Sequence, residues 1–302
     1  MNVSPHQNNR PHTKTMKRPA YITDKALKQF IKSALEEDIR DGDHSTLSTI
    51  PPGLVQSARL LVKEDCILAG VELAEMIFTT FDKDLKTDII IHDGEQAKKG
   101  DIAFTVTGKA QSILQTERLV LNCMQRMSGI ATMTHEWDAR LVGTKTKLLD
   151  TRKTTPNFRL CEKWAVAIGG GTNHRFGLYD MIMLKDNHID YNGSITNAVR
   201  AAKAYIVEKN LNLKIEVETR NLDEVKEALA AGADRIMLDN MSPDIMKKAV
   251  EIINGKCETE ASGGVTRDML KTIAATGVNY ISAGALTHSV SNIDLSLKAI
   301  HE

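Results

Sequence analysis

The centre of the chain carries the stretch Thr146-Lys147-Leu148-Leu149-Asp150-Thr151-Arg152-Lys153-Thr154-Thr155-Pro156. It begins as a short apolar strand and passes directly into a polar loop. Pro156 can neither donate to a sheet ladder nor continue a helix interior, so the strand must end before it. Two cations and three hydroxyl side chains at a strand end suit a ligand with two or three negative charges. Taken alone, the stretch is explained equally well as a solvated turn.

The second half of the chain repeats this strand-then-helix pattern. Strands are predicted at residues 145–150, 181–184, 213–217, 235–238, 258–261 and 280–282. Helices are predicted near residues 157–168, 194–208, 221–231, 243–253, 266–275 and 291–300. The alternation predicts parallel strands joined by right-handed crossovers. Six strands are fewer than the eight of a standard (β/α) barrel, and an open doubly wound sheet would give a similar pattern.

Polar or small residues follow each of these strands. They are Arg152-Lys153, Lys185-Asp186-Asn187-His188, Glu218, Asp239-Asn240, Ser262-Gly263-Gly264 and Ala283-Gly284-Ala285. In a parallel barrel the carboxyl ends of all strands meet at one rim, where barrel active sites lie. Six consecutive strands that end in this way predict a functional site at that rim.

The residue types at the rim indicate the ligand. Residues 152–185 contain six basic side chains against two acids, which favours carboxylate or phosphate. Glu218 and Asp239 suit Mg²⁺ held with a polyphosphate, or ribose hydroxyls. The backbone amides of Ser262-Gly263-Gly264 and Gly284 suit a phosphate. A ligand that carries both carboxylates and phosphates fits all three zones.

The first half of the chain has a different organisation. Residues 55–107 are rich in short strands, interrupted by one helix near 73–81, which predicts an α+β unit with a small antiparallel sheet. A long helix follows from Ile113, with a stripe of Arg118, Asn122, Gln125 and Ser128 beside an apolar face. That stripe is either a solvated face or the lining of a site or subunit contact.

Composition excludes several classes of protein. The 302 residues carry a formal net charge of +0, so no global field attracts nucleic acid or a membrane. No run is long and apolar enough to span a bilayer. The four cysteines lie far apart without metal-type spacing, which indicates thiols in a reducing compartment. Residues 1–20 are basic without an apolar core and are expected to form a disordered tail, with an organelle-targeting role as the alternative.

Several motifs together resemble the quinolinate phosphoribosyltransferase family, a group of type II phosphoribosyltransferases. The resemblance covers roughly residues 24–300. Its motifs are Glu37-Asp38, Gly42-Asp43, Glu117-Arg118, Leu121-Asn122, Ser128-Gly129-Ile130-Ala131-Thr132, Thr151-Arg152-Lys153-Thr154, Asn173-His174-Arg175, Lys185-Asp186-Asn187-His188, Glu216-Val217-Glu218, Leu238-Asp239-Asn240, Glu260-Ala261-Ser262-Gly263-Gly264 and Gly284-Ala285-Leu286-Thr287-His288-Ser289.

The resemblance implies a fold of the α/β class with two domains. An N-terminal α/β sandwich domain is expected over 21–127, and an incomplete α/β barrel of six or seven strands over 128–289. A C-terminal helix over 290–302 is expected to pack back on the first domain. The family further implies a homodimer with shared active sites, in which Arg118 comes from the neighbouring subunit. The expected compartment is the cytoplasm, in keeping with the cysteine pattern. Neither nucleic acid nor membrane is an expected partner.

The resemblance also implies a reaction in de novo NAD biosynthesis. Phosphoribosyl pyrophosphate and quinolinate would give nicotinate mononucleotide, pyrophosphate and CO₂, with Mg²⁺ as cofactor. The implied catalytic residues are Lys153, Lys185, Glu218 and Asp239, the last two also as metal ligands. Quinolinate would be held by Arg118, Arg152, Lys153, His174, Arg175 and Lys185. Phosphoribosyl pyrophosphate would be held by Lys153, Glu218, Asp239, Ser262, Gly263, Gly264, Gly284 and His288.

Three other functions remain open at this point. A related enzyme acting on nicotinate would not decarboxylate, although the many carboxylate-binding side chains favour a diacid. A class I aldolase would use Lys153 or Lys185 as a Schiff base, which leaves the paired acids and the two anion zones unexplained. A phosphometabolite-binding regulator on the same scaffold would bind without turnover.

Overall fold

The structure, a computed structural model, describes residues 18–300 of the chain. The expected disordered tail lies outside the described residues up to position 17. Its last part is held in place, because the Arg18 guanidinium donates to Glu72 at 2.8 Å and to Asp24 at 2.6 Å. The described chain therefore starts in contact with the N-terminal domain.

The described residues form the following helices and strands. The helices are α1 (Asp24–Asp38), α2 (His44–Thr49), α3 (Val71–Phe81), α4 (Ala110–Asp138), α5 (Arg159–Ile168), α6 (Asp186–Asn192), α7 (Ile195–Glu208), α8 (Leu222–Ala231), α9 (Pro243–Ile253), α10 (Leu270–Ala274) and α11 (Ala285–His288). The strands are β1 (Val55–Val62), β2 (Cys66–Ile67), β3 (Lys86–Ile89), β4 (Gln96–Ala97), β5 (Ile102–Lys109), β6 (Lys147–Leu149), β7 (Ile182–Leu184), β8 (Ile215–Thr219), β9 (Arg235–Asp239), β10 (Glu258–Ser262), β11 (Tyr280–Ser282) and β12 (Leu295–Ala299).

The N-terminal domain is built on a four-stranded antiparallel sheet in the order β12-β1-β5-β3. Helices α3 and α4 pack against each other, and α1 packs on both. In the core beneath them, Phe78 of α3 meets Phe104 of β5 edge-to-face at 6.0 Å between ring centroids. This confirms the expected α/β sandwich with a small antiparallel sheet.

The expected C-terminal helix over 290–302 is wrong. Residues Leu295–Ala299 form strand β12, antiparallel to β1, with Val62 opposite Leu295 and Ala58 opposite Ala299. Leu295 and Leu297 are buried and alternate with Ser296 and Lys298, so the period is two rather than 3.6. The edge of β1 supplies the unpaired backbone groups that the segment completes. The chain does return to the first domain, but as a strand.

The second domain is a six-stranded parallel sheet in the order β6-β11-β10-β9-β8-β7. A single parallel bridge, Leu149 to Thr172, follows on the free side of β6. Among the described strands the sheet is therefore an incomplete barrel, as expected. Its strands and crossover helices lie close to the predicted positions, and their carboxyl ends share one rim.

Helix α4 connects the two domains and runs without a break across position 127, where the domain boundary was expected. Part of its polar stripe is structural: Ser128 Oγ donates to Ala69 O at 3.1 Å, and Gln125 donates to Leu295 O at 3.1 Å. Arg118 and Asn122 are exposed. Neither this helix nor any other between residues 18 and 300 is long and apolar enough to cross a bilayer.

The N-terminus of helix α3 is capped by a residue from a distant loop, Asp93. Its N-cap is Gly70, which has no side chain, and the Asp93 carboxylate accepts from Val71 N at 2.8 Å and Glu72 N at 3.1 Å.

Asp93→Ala should lower the free energy of unfolding by about 1–2 kcal/mol, because two helix-terminal amides lose their acceptor. Urea denaturation measures this. The exposed Asp88→Ala is the control, and an equal effect of both substitutions would contradict the capping role.

Candidate active site

A cavity of about 780 Å³ opens at the carboxyl ends of the barrel strands. Twelve of the thirteen residues expected in the site line it: Arg152, Lys153, His174, Arg175, Lys185, Glu218, Asp239, Ser262, Gly263, Gly264, Gly284 and His288. The thirteenth, Arg118, is exposed on α4 and does not line the cavity of its own chain. The strand ends thus converge as the parallel topology requires.

One side of the cavity is cationic, but less so than the sequence suggested. Arg152, Lys153, Arg175 and Lys185 line it. Arg159 instead donates to Thr154 Oγ1 at 2.9 Å and to Phe176 O at 3.1 Å. Lys163 is fully buried and paired with Asp150. The bases on α5 are therefore structural, and the ligand-facing cations are those of the loops.

Asp150 organises this side of the cavity, a role that the sequence analysis missed. Its carboxylate accepts from Lys163 Nζ, from Asn173 Nδ2 at 2.7 Å and from His174 N at 2.8 Å. It thereby fastens the Asn173-His174-Arg175 segment to the end of β6. Its position directly before the Thr-Arg-Lys loop was the available signal, because an acid at the end of an apolar strand needs a partner when buried.

His174 lies buried at the cavity floor. Its Nε2 is 3.1 Å from Glu216 Oε2 and 3.2 Å from Glu260 Oε2, and its Nδ1 accepts from Arg175 N at 2.7 Å. Burial alone would lower the pKa of His174, but the two carboxylates outweigh it and raise the pKa to about 9. Both ring nitrogens face protein groups, so the role of His174 as a ligand for a substrate carboxylate stays a prediction.

His174, Glu216 and Glu260 present ligand-type atoms within 4.8 Å of one another, a spacing that can suit a metal ion. The guanidinium of Arg235 is 3.1 Å from Glu260 Oε2 and 4.0 Å from Glu216 Oε2, and lies over the Tyr280 ring. This cation already supplies the positive charge that the buried carboxylates require. We therefore assign the cluster to the barrel interior and not to a metal.

A second part of the cavity lining is acidic and borders the cationic part at Lys185. Glu218 and Asp239 line it from the ends of the neighbouring strands β8 and β9. Lys185 Nζ is 3.4 Å from Glu218 Oε2, and Asn240 donates to Asp239 Oδ2 at 2.7 Å. Burial raises the pKa of Glu218. Two carboxylates open to a cavity that also carries cations are hard oxygen donors of the kind that Mg²⁺ takes together with a substrate polyphosphate.

A third part of the cavity lining is rich in glycine. Gly263 has φ +94°, and a Cβ there would lie 2.3 Å from Asn240 Oδ1. A Cβ on Gly284 would lie 2.9 Å from Lys153 Cδ and 3.0 Å from His288 Nε2. Gly263 therefore requires glycine, whereas a side chain at Gly284 would displace Lys153 or His288. Lining residues without side chains allow a ligand to approach the backbone closely, an arrangement that suits a phosphate.

A partly buried ion pair supports the loop that carries Lys153. Arg126 of α4 donates to Glu162 Oε1 at 3.0 Å, and Glu162 accepts from Thr155 N at 2.9 Å. Thr287 Oγ1 donates to Lys153 O at 2.7 Å from the other side. The loop is thus held between α4, α5 and α11. These residues were not predicted, because no spacing in the sequence reveals that three distant segments meet here.

Comparisons with known proteins agree with this geometry. The family description "Quinolinate phosphoribosyl transferase, C-terminal domain" matches residues 130–298, and the corresponding N-terminal domain description matches residues 43–128. Together they account for nearly all of the described chain, including every strand of the barrel.

Individual relatives extend the match. A rice protein named "Nicotinate-nucleotide pyrophosphorylase [carboxylating], chloroplastic" is 50% identical over 289 residues, covering 90% of this chain and 77% of its own. A Bacillus subtilis protein with the name "Probable nicotinate-nucleotide pyrophosphorylase [carboxylating]" is 42% identical over 271 residues, covering 90% and 92%. The crystal structure of NadC from Streptococcus pyogenes superposes with a TM-score of 0.86 at 38% identity, covering 93% of this chain and 99% of that one.

Proposed function

Because this chain belongs to the quinolinate phosphoribosyltransferase family, we propose that it transfers phosphoribosyl from phosphoribosyl pyrophosphate to quinolinate with decarboxylation. The products are nicotinate mononucleotide, pyrophosphate and CO₂, and the reaction belongs to de novo NAD biosynthesis. One observation carries the proposal: a single cavity joins a cationic side, an acidic side and a glycine-lined side. A pyridine diacid and a phosphorylated sugar together need all three.

The cationic side is assigned to quinolinate. Arg152, Arg175 and Lys185 hold its two carboxylates, and in doing so aim the ring nitrogen at the sugar carbon. Lys153 lies between this side and the glycines, next to Gly284, so it can contact both substrates. The 5′-phosphate lies against Ser262, Gly263, Gly264, Gly284 and His288.

The acidic side is assigned to the reacting sugar. When pyrophosphate leaves, positive charge develops on the ribose ring, and the carboxylates of Glu218 and Asp239 favour it. The same two carboxylates would hold Mg²⁺, which, when bound, neutralises charge on the departing pyrophosphate. No nucleophilic side chain is required, because the ring nitrogen of quinolinate attacks the sugar directly.

Decarboxylation follows from the chemistry of the bound nucleotide. After the ring nitrogen is quaternary, the bond from C2 to its carboxylate breaks and leaves an electron pair on C2 beside a positive charge. CO₂ departs, and C2 then takes up a proton. The substrate itself supplies most of the driving force, and the protein's task is to orient the ring and limit access of water.

Arg118 is assigned to the active site of a partner subunit in a homodimer. Support comes from its exposure on α4 and from the exposed apolar residues on neighbouring segments: Leu47, Leu54, Val55 and Leu114. A second apolar group, Leu178, Tyr179 and Tyr191, is exposed on segments beside the cavity residues Arg175 and Lys185. Exposed apolar side chains near functional residues are common at surfaces that meet in an oligomer.

The cytoplasm is proposed as the compartment. Support comes from the four cysteines, which are all free thiols. Cys123 and Cys161 are buried, and burial raises the pKa of Cys123 to about 12. Structural thiols of this kind persist in a reducing environment.

Gly284→Ala should raise the KM for phosphoribosyl pyrophosphate about tenfold with little change in the KM for quinolinate. The added methyl group forces Lys153 or His288 away from the phosphate side, at a cost of about 1–3 kcal/mol for overpacking. Steady-state kinetics with each substrate varied in turn measure this. Gly53→Ala, at an exposed glycine outside the left-handed region and without neighbours within 4 Å of its Cβ position, is the control. Equal changes in both KM values would contradict the assignment.

The reaction itself is tested with purified protein, Mg²⁺, phosphoribosyl pyrophosphate and either quinolinate or nicotinate in parallel tubes. We expect nicotinate mononucleotide and CO₂ from quinolinate and no product from nicotinate. Product from nicotinate alone would assign the chain to the non-decarboxylating reaction. Binding of both substrates without turnover would favour a regulator, and a borohydride-trapped lysine adduct with a carbonyl substrate would favour an aldolase.

A further inference from the structure

A short segment before α1 reaches from the N-terminal domain to the barrel. We call residues 18–23 the N-terminal strap. At one end Arg18 is bonded to Glu72 of α3, and Ile22 is buried in the core. A turn closed by Ile22 N donating to Pro19 O at 2.9 Å brings Tyr21 to face the barrel. The strap is therefore anchored on one domain and contacts the other.

The contact with the barrel is made by Tyr21. Its hydroxyl donates to Asn173 Oδ1 at 2.6 Å, and its ring lies 4.9 Å from that of Phe176, centroid to centroid. The amide nitrogen of Asn173 donates to Asp150 Oδ2 at 2.7 Å and to Lys163 O at 2.8 Å. Both ends of the Asn173 amide are thus occupied, and Tyr21 supplies the hydrogen bond to its oxygen, which fixes which way the amide faces.

Asn173 directly precedes two cavity residues. His174 N donates to the same Asp150 carboxylate at 2.8 Å, and Arg175 N donates to His174 Nδ1 at 2.7 Å. The guanidinium of Arg175 also donates to Met181 O at 3.0 Å. The position of this segment therefore depends on a chain of contacts that starts at the Tyr21 hydroxyl and ends at the cationic side of the cavity.

We propose that Tyr21 is a positioning residue for the quinolinate half of the active site, acting through Asn173 on His174 and Arg175. The proposal rests on the proposed function and deepens it. The contacts of Tyr21 lie on the cationic side, while the glycines that face the phosphate belong to the ends of β10 and β11. Loss of the hydroxyl should therefore affect the two substrates unequally.

The test is Tyr21→Phe, which keeps the ring on Phe176 and removes only the donor to Asn173. We expect KM for quinolinate, and its Kd by calorimetry, to rise about five- to tenfold, as for loss of one buried hydrogen bond. The KM for phosphoribosyl pyrophosphate and kcat should stay within about twofold. In combination with Asn173→Ala, the two effects on quinolinate should be less than additive.

Tyr205→Phe, at a half-exposed tyrosine on α7, is the matched control and should change neither KM. A purely structural role would lower the melting temperature without separating the two KM values. Unchanged kinetics of Tyr21→Phe, or equal changes in the KM values of both substrates, would overturn the positioning role of Tyr21. The proposed function would still stand in that case, provided that the wild-type protein turns over quinolinate. A wild-type protein that neither binds nor converts quinolinate would overturn both.

Discussion

Glu218→Gln should lower kcat by about 10³-fold, the largest effect expected from any single substitution in this chain. The amide is isosteric but neutral, so the reacting sugar loses a negative charge that faces it in the cavity. Binding of quinolinate should change less, because of the three cations assigned to it only Lys185 pairs with Glu218. Single-turnover measurements with saturating substrates separate the loss in the chemical step from any change in quinolinate binding. Titration of activity with Mg²⁺ should show that the variant binds the metal more weakly.

The control for this prediction is Glu208→Gln, at an exposed glutamate near the end of α7. It carries the same chemical change far from the cavity and should leave kcat unaltered. Glu218→Gln with activity within about tenfold of wild type would remove this carboxylate from the catalytic machinery. Asp239→Asn tests the neighbouring strand in the same way, and a loss confined to one of the two acids would identify the one that faces the sugar.

The second large effect concerns Arg118. Arg118→Ala and Lys153→Ala should each lower activity at least about 100-fold as homodimers. If each active site takes Arg118 from the partner, a mixed dimer of the two variants contains one intact site. Random reassociation at equal concentrations should then restore about a quarter of wild-type activity, since half of the dimers are mixed and each has one working site.

The matched control is a mixture of Lys153→Ala with Arg152→Ala. Both of these residues line the cavity of their own chain, so every site in the mixed dimer keeps one defect and activity should stay low. Recovery in the Arg118 mixture alone supports sites shared between subunits. Absence of recovery there, with mixed dimers verified by differential tagging, would contradict the donation of Arg118 across the subunit interface.

The local pattern of apolar and polar residues in the sequence was enough to predict much of the architecture. Of the twelve predicted cavity residues, His174, Arg175 and His288 came from the family resemblance. The alternation of strands and helices predicted the parallel sheet, and the residues at the strand ends predicted the other nine. Both succeed because parallel strands bring their carboxyl ends together whatever the details of packing. The prediction of a C-terminal helix was wrong because it also relied on local pattern alone. The apolar residues of this segment permit either a helix or a strand, and only the free edge of β1 decides between them.

Contacts between distant segments were decided by the tertiary structure alone. The sequence counted Arg159 and Lys163 as ligand-facing cations, whereas packing of α5 buries Lys163 against Asp150. Tertiary packing also places His174 between the carboxylates of Glu216 and Glu260. It brings Tyr21 into contact with Asn173, 152 positions away in the sequence. The sequence alone does not distinguish a charged side chain that faces a ligand from one that is paired with a buried partner. The desolvation that separates these two cases exists only after the chain has folded.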